Sequence, residues 1–222
     1  MPNRSPKQAL LAQLAKVAKT LGHAHRLELL EQLAQGERSV EVAAQRTGLS
    51  VANASQHLQR MRRAGIVTAR RAKKYVYYRL ADDAVLDLLS ALQLIAERNN
   101  AEVERLIRSY FTERDSFQPI SRAELLQRSR AGTVTVLDVR PPDEFALGHL
   151  PGAINIPLSE IEARLADLDP DQEIVAYCRG PYCILSYQAV AKLRARGFNA
   201  RRLQDGLPQW RAAGLPVIAG NA

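Results

Sequence analysis

The apolar and polar positions divide the chain into stretches of different period. From Pro6 to Leu21, the residues Leu10, Leu11, Leu14, Val17, Ala18 and Leu21 recur at helical spacing. His25 to Leu33 repeats that spacing through Leu27, Leu29, Leu30 and Leu33, and ends near Gly36. Ser39 can cap a short helix through Arg46, after which Gly48 breaks the chain. Ser50 can cap a further helix to about Ala64, stopped by Gly65. Residues 66–70 and 75–80 are then rich in β-branched and aromatic side chains, with Arg71 to Lys74 turning between them. That predicts a β-hairpin with a basic tip. A long helix is predicted from Asp83 to Phe111, carrying an apolar stripe from Val85 to Tyr110. The stripe suits a seam with a second copy of the chain, or packing against its own domain.

The polar stretch from Thr112 to Pro119 predicts a linker at 113–118, between domains at 1–112 and 119–222. Beyond it, 134–139 and 173–177 are short apolar runs of the kind found in buried parallel strands. Helices are predicted at Ser159 to Leu168 and at Ile184 to Arg196, the latter closed by Gly197. Strand alternating with helix indicates an α/β domain with a mainly parallel sheet. No apolar run approaches the roughly 20 residues that span a membrane, and the N-terminus lacks a secretory apolar core. A soluble cytoplasmic protein with no membrane partner is expected.

Charge sharpens the division. Residues 1–115 hold 19 Lys/Arg against 12 Asp/Glu, whereas 116–222 hold 12 against 11. From Val42 to Ala81 there are nine Lys/Arg and no acid. A surface so one-sided points to a polyanion; a solubilising face is the plainer reading.

Helix, glycine turn, helix, hairpin is the plan of a winged helix-turn-helix, whose second helix enters the major groove of DNA. Val51, Ala54, Leu58 and Met61 make the expected inner face of that helix. Asn53, Ser55, Gln56, Gln59 and Arg60 make the outer face, where Asn and Gln suit adenine edges and Arg suits guanine. Arg62, Arg63, Arg70, Arg71, Lys73 and Lys74 are expected at phosphates. His57 is placed with the DNA-binding set as a phosphate contact, with a buried hydrogen-bonding role as the alternative. Residues 20–80 resemble the ArsR-type family of dimeric winged helix-turn-helix regulators, above all from Gly48 to Val67. The resemblance implies a homodimer built from the first and last helices, binding to double-stranded operator DNA, and repression relieved by a ligand. Many members sense metals through a Cys-x-Cys pair. Here Ser39, Val40 and Glu41 occupy that region, and residues 83–111 hold no histidine. No metal site and no cofactor are expected, and this half has no evident sensor.

The two cysteines lie in Tyr177-Cys178-Arg179-Gly180-Pro181-Tyr182-Cys183-Ile184, a strand end, short loop and helix start. Loop amides and a helix N-terminus there favour a thiolate at Cys178, or the persulfide made from it. Gly180 lets the loop curl around the sulfur, and Arg179 adds positive charge. The flanking motifs Leu137-Asp138-Val139-Arg140, Glu144-Phe145, residues 148–157, Asp205-Gly206-Leu207-Pro208-Gln209-Trp210 and residues 214–217 resemble the rhodanese family of sulfurtransferases. The resemblance implies that Cys178 takes a sulfane sulfur from a donor and passes it to a thiol acceptor, inside a cradle of residues 178–183. Asp138, Arg140, Glu144 and His149 match family positions read as scaffold and pocket rim. Phosphatase-like relatives need an arginine six residues after the cysteine, where this chain has Ile184. Cys183 is either a resolving thiol that displaces sulfide from a Cys178 persulfide or a packed residue that never meets it.

The expected fold is therefore mixed: a mainly α winged helix-turn-helix domain, then an α/β rhodanese-like domain with a mainly parallel sheet. The expected function is a DNA-binding regulator whose reactive cysteine reports sulfur or redox state. The alternative is a rhodanese-type sulfurtransferase with an autoregulatory DNA-binding domain.

Overall fold

The computed structural model describes residues 5–109 and 118–220. The chain forms two compact units that divide between Val85 and Leu86. The expected domain boundary lay at 112/113, and the linker set at 113–118 falls outside the described residues except for Gln118.

In the first unit, α1 (Pro6–Leu21) begins with a reciprocal cap: Ser5 Oγ accepts from the Gln8 amide, and Gln8 Oε1 accepts from the Ser5 amide. α2 (Ala24–Ala34) buries Leu29, Leu30 and Leu33 completely or nearly so. Ser39 caps α3 (Val40–Thr47) through the Val42 amide, and Ser50 caps α4 (Val51–Arg63) through the Asn53 amide. Between them Gly48 has φ 66°, a left-handed conformation that costs a side-chain-bearing residue more than glycine. The hairpin is β2 (Val67–Ala72) paired antiparallel with β3 (Tyr75–Leu80). Its turn is only Lys73–Lys74, tighter than the four residues expected. A short β1 (Arg38–Ser39), which no sequence pattern announced, pairs with β3 and completes a three-stranded sheet of order β1-β3-β2.

The predicted helix 83–111 is broken in the structure. α5 (Ala84–Asn99) and α6 (Ala101–Ile107) are separated by Asn100, whose side chain accepts from the amides of Glu102 and Val103. An Asn oxygen competes with the helical carbonyls for those amides, so it starts a new helix instead of continuing the old one. Tyr110 and Phe111, expected near the end of the long helix, lie outside the described residues.

The second unit continues with α7 (Arg122–Arg130), β4 (Val134–Asp138), α8 (Pro142–Leu147), β5 (Ile154–Asn155), β6 (Glu173–Tyr177), α9 (Ile184–Ala195), β7 (Ala200–Arg202) and α10 (Leu207–Ala212). Four strands form a fully parallel sheet of order β5-β4-β6-β7, as the alternation of strand and helix predicted. The helix expected at Ser159–Leu168 is instead two short 3-10 turns, 161–163 and 165–167. Of this segment only Ile161 and Leu168 are buried. Two anchors seven residues apart do not need a continuous α-helical face.

The sheet separates two cores. One face carries Leu137, Val139, Ile174, Ala176, Cys178 and Cys183, packed with Val190 and Leu193 of α9. The other carries Val134, Val136, Val175 and Tyr177, packed with Phe145, Leu150, Leu207 and Trp210. Neighbouring residues of a strand point to opposite faces, so Tyr177 and Cys178 are committed to different cores.

Candidate functional site

On α4, Asn53, Gln56, Gln59, Arg60, Arg62 and Arg63 are exposed and Ser55 is half-buried, with Gln59 Nε2 donating to Ser55 Oγ at 3.2 Å. The helix thus offers the polar face expected of it. Ala54, Leu58 and Met61 are fully buried, but Val51 is 49% exposed and is not part of the inner face. Its position in the first turn, just after the Ser50 cap, leaves it beyond the core.

His57 is set apart from that polar face. It is buried, its ring 4.6 Å from that of His23 and 5.9 Å from that of His25. It therefore faces inward with the core residues of α4, in line with the buried role given above as the alternative. Burial, then the charges of His23, Arg26, His25 and Arg60, hold its pKa below the ordinary 6.5. Arg70 is paired: its Nε donates to both Glu37 oxygens at 2.9 Å, and its guanidinium lies over the Tyr77 ring. Its charge is partly answered within the protein, whereas Arg71, Lys73 and Lys74 stay exposed around the hairpin tip.

In the second unit, Cys178 follows the last residue of β6 and Cys183 immediately precedes α9. Their sulfurs are joined in a disulfide across a Cα–Cα distance of 6.2 Å. The two sulfurs therefore lie within reach of one another across the loop. The loop is held by the Cys183 amide donating to the Gly180 carbonyl at 3.1 Å and by Tyr187 Oη donating to the Pro181 carbonyl at 3.3 Å. The segment before α10 closes over it. The Leu207 amide donates to the Cys178 carbonyl, and a Cβ on Gly206 would overlap the Arg179–Gly180 backbone. Gly206 is therefore required by space, a role that its motif alone did not reveal.

Arg179 was expected to lend its charge to the sulfur. Instead it grips Glu144, with Nε to Oε2 at 2.9 Å and Nη2 to Oε1 at 2.8 Å, and the Glu144 side chain is fully buried. A buried carboxylate needs such a partner, so Arg179 anchors the loop to α8. Tyr182 is half-buried, and its hydroxyl lies within hydrogen-bonding reach of Glu97 and Gln93, both on α5 and both within the second unit. Burial first, then the Glu97 hydrogen bond, raises its hydroxyl pKa well above the usual tyrosine value.

Asp138, Arg140 and His149 do not form an open rim. Asp138 and Arg140 are wholly buried and His149 nearly so. Arg140 Nε donates to Asp138 Oδ1 at 3.0 Å, and its Nη2 donates to the Gly148 carbonyl at 2.7 Å. Tyr177 Oη donates to Asp138 and accepts from the Leu150 amide. Desolvation alone would lower the Arg140 pKa, but the hydrogen bonds and charge of Asp138 outweigh it and the net shift is upward. His149 stacks on Phe145 at 3.7 Å, with Nδ1 3.0 Å from the Phe145 carbonyl. Strand parity explains the placement. Asp138 is register partner of Tyr177 and shares its face of the sheet, whereas Cys178 points to the other. Among the described residues no group of three or more His, Cys, Asp or Glu could hold a metal ion, and no helix is long and apolar enough to cross a membrane.

Residues 21–70 match a helix-turn-helix domain family, and residues 121–213 match the rhodanese-like domain family. A relative from Mycobacterium tuberculosis, the HTH-type transcriptional regulator Rv0324, is 46% identical over 96% of this chain and 94% of its own. The chain belongs to the ArsR-type transcriptional regulators with a C-terminal rhodanese-like domain. Each half of the regulator also has separate relatives. A protein from Allochromatium vinosum named a sulfurtransferase is 36% identical over 44% of this chain and 92% of its own. A biofilm growth-associated repressor from Agrobacterium fabrum is 42% identical over 37% of this chain and 71% of its own.

Proposed function

We propose that the regulator is a homodimeric repressor of operator DNA whose affinity is set by the sulfur state of Cys178 and Cys183. The observation that carries this reading is the disulfide between the two loop cysteines. In the reduced protein, the Cys178 thiolate attacks the sulfane sulfur of a polysulfide. It becomes a persulfide, and the shortened polysulfide leaves with the electron pair of the broken S–S bond. The Cys183 thiolate then attacks the Cys178 sulfur, expels hydrosulfide and leaves the disulfide. The sulfane sulfur is reduced and the two thiols are oxidised, so the step balances without a further oxidant. Two equivalents of a low-molecular-weight thiol restore the dithiol by exchange.

The cradle loop reaches α5 through Tyr182, and α5 leaves Leu88, Leu92, Leu94 and Ile95 exposed. α1 does the same with Leu10, Leu11 and Leu14. A second copy of the chain is the occupant that suits both faces, and a loop change felt by α5 is a change at that seam. The Agrobacterium relative's name supports the sign, repression. The test is operator affinity of the reduced protein before and after polysulfide, with Cys178→Ser as control. A polysulfide-dependent change in the wild type and none in the variant is expected; an unchanged wild-type affinity refutes the reading.

The Allochromatium relative favours a second reading, in which the rhodanese-like domain turns over as a sulfurtransferase. Sulfide release beyond one equivalent per Cys178, in the presence of a thiol that cannot reduce the disulfide, would establish it.

A further inference from the structure

The sequence left the DNA-binding half without a sensor, yet the first unit has an open cleft of about 440 Å³ whose charged lining is entirely cationic. Lys16, Lys19 and Thr20 of α1, Arg26 of α2, and Arg60 and Arg63 of α4 surround it. Some of these cations have an ordinary explanation. Lys19 lies in the last turn of α1, and Arg60 and Arg63 in the last turn of α4, where the helix dipole favours positive charge.

Arg26 has no such explanation. It is the third residue of α2, at the end where the dipole opposes a cation. It is only 8% exposed, and its Nε is buried with no hydrogen-bond partner. The small part of Arg26 that stays accessible lines this space, where an anion would offset the cost of burying the charge. The cleft beside it is open to solvent on one side, so a small anion can enter without a rearrangement.

We propose that this cleft is a site for a small phosphate-bearing anion, held by Arg26 with Lys16, Lys19, Arg60 and Arg63. The occupant is a free small molecule and not the DNA backbone, because Arg26 is recessed while a duplex phosphate stays on the outer surface. Arg60 and Arg63 belong to the recognition helix, so an anion bound to them competes with DNA for the same charges. Occupancy therefore weakens operator binding. The proposal is independent of the sulfur chemistry in the second unit.

The experiment uses the full chain and pyrophosphate as probe, titrated calorimetrically at low salt against chloride of equal ionic strength. Saturable binding of one pyrophosphate per protomer is expected, weakened about tenfold by Arg26→Gln and by the double change Lys16→Gln with Lys19→Gln. The lysines are exposed, so the double variant decides the matter even where Arg26→Gln fails to fold. Saturating pyrophosphate is expected to weaken wild-type operator binding about fivefold beyond the ionic-strength control, with less effect in both variants. It also raises the His57 titration midpoint seen by NMR, because Arg26 and Arg60 are among the charges that lower it. Absence of saturable binding, or equal binding in wild type and variants, overturns the proposal. So does a loss of operator affinity in pyrophosphate-free Lys16→Gln/Lys19→Gln as large as its loss of pyrophosphate affinity, which would assign the cleft to the DNA footprint.

Discussion

The two units handle charge in opposite ways. Around α4 and the hairpin, Arg60, Arg62, Arg63, Arg71, Lys73 and Lys74 stand in solvent. Around the cradle loop, Asp138 with Arg140 and Glu144 with Arg179 are withdrawn from water and matched to each other. Exposed cations of one sign act at a distance, are screened by salt and each contribute little to stability. Buried pairs act locally, and removing one partner strands the other. The first arrangement suits a surface that must grip and release a polyanion. The second suits a loop held in one geometry.

Five substitutions, the last read by a pH titration, break or sharpen that contrast. Cys183→Ser has the largest expected effect: polysulfide-treated protein stops at the Cys178 persulfide and releases no sulfide in the second step, read by intact mass and sulfide assay. Asp138→Asn comes next. It leaves Arg140 buried without its charge partner and is expected to destabilise the second unit by about 3–5 kcal/mol in urea unfolding. Tyr182→Phe removes the hydroxyl that meets Glu97 and Gln93. Persulfide formation should persist while the operator response to polysulfide shrinks several-fold. Arg71→Gln, at the exposed hairpin, should weaken operator binding uniformly across sequences and reduce the salt slope by about one, with stability unchanged.

The smallest effect concerns His57. Its pKa is lowered in the folded protein, so below pH 6.5 the unfolded chain binds more protons at this site. Its contribution to stability is thus present above pH 6.5 and is lost as the pH falls through the folded pKa. His57→Gln should flatten that part of the stability profile, measured by denaturation midpoints between pH 7.5 and 5.

Much of this was legible in the sequence because the signals were local. Ser39 and Ser50 cap the helices they were expected to cap, and the parallel sheet follows from runs of buried strand residues. The acid-free stretch from Val42 to Ala81 located the exposed cations. The misplacements were of side chains whose position depends on distant partners. His57 sits at the period of the core residues Ala54, Leu58 and Met61, a placement that its spacing allowed but could not choose over a phosphate contact. Asp138 and Arg140 were placed at the sulfur's rim, although Tyr177 and Cys178 must face opposite sides of a strand. Glu144 could not be matched with Arg179, nor Tyr182 with Glu97, because nothing in their spacing brings them together. Arg26 reads as an ordinary helical arginine until its burial is seen.

The central claim is that the two loop sulfurs govern the grip on DNA. It is tested most directly by quantifying, in the same samples, the fraction of Cys178–Cys183 disulfide by mass spectrometry and the fraction of operator bound, as polysulfide is added to reduced protein. The account predicts that the two change together, and that a thiol reductant reverses both. Complete disulfide formation with operator occupancy unmoved would contradict it.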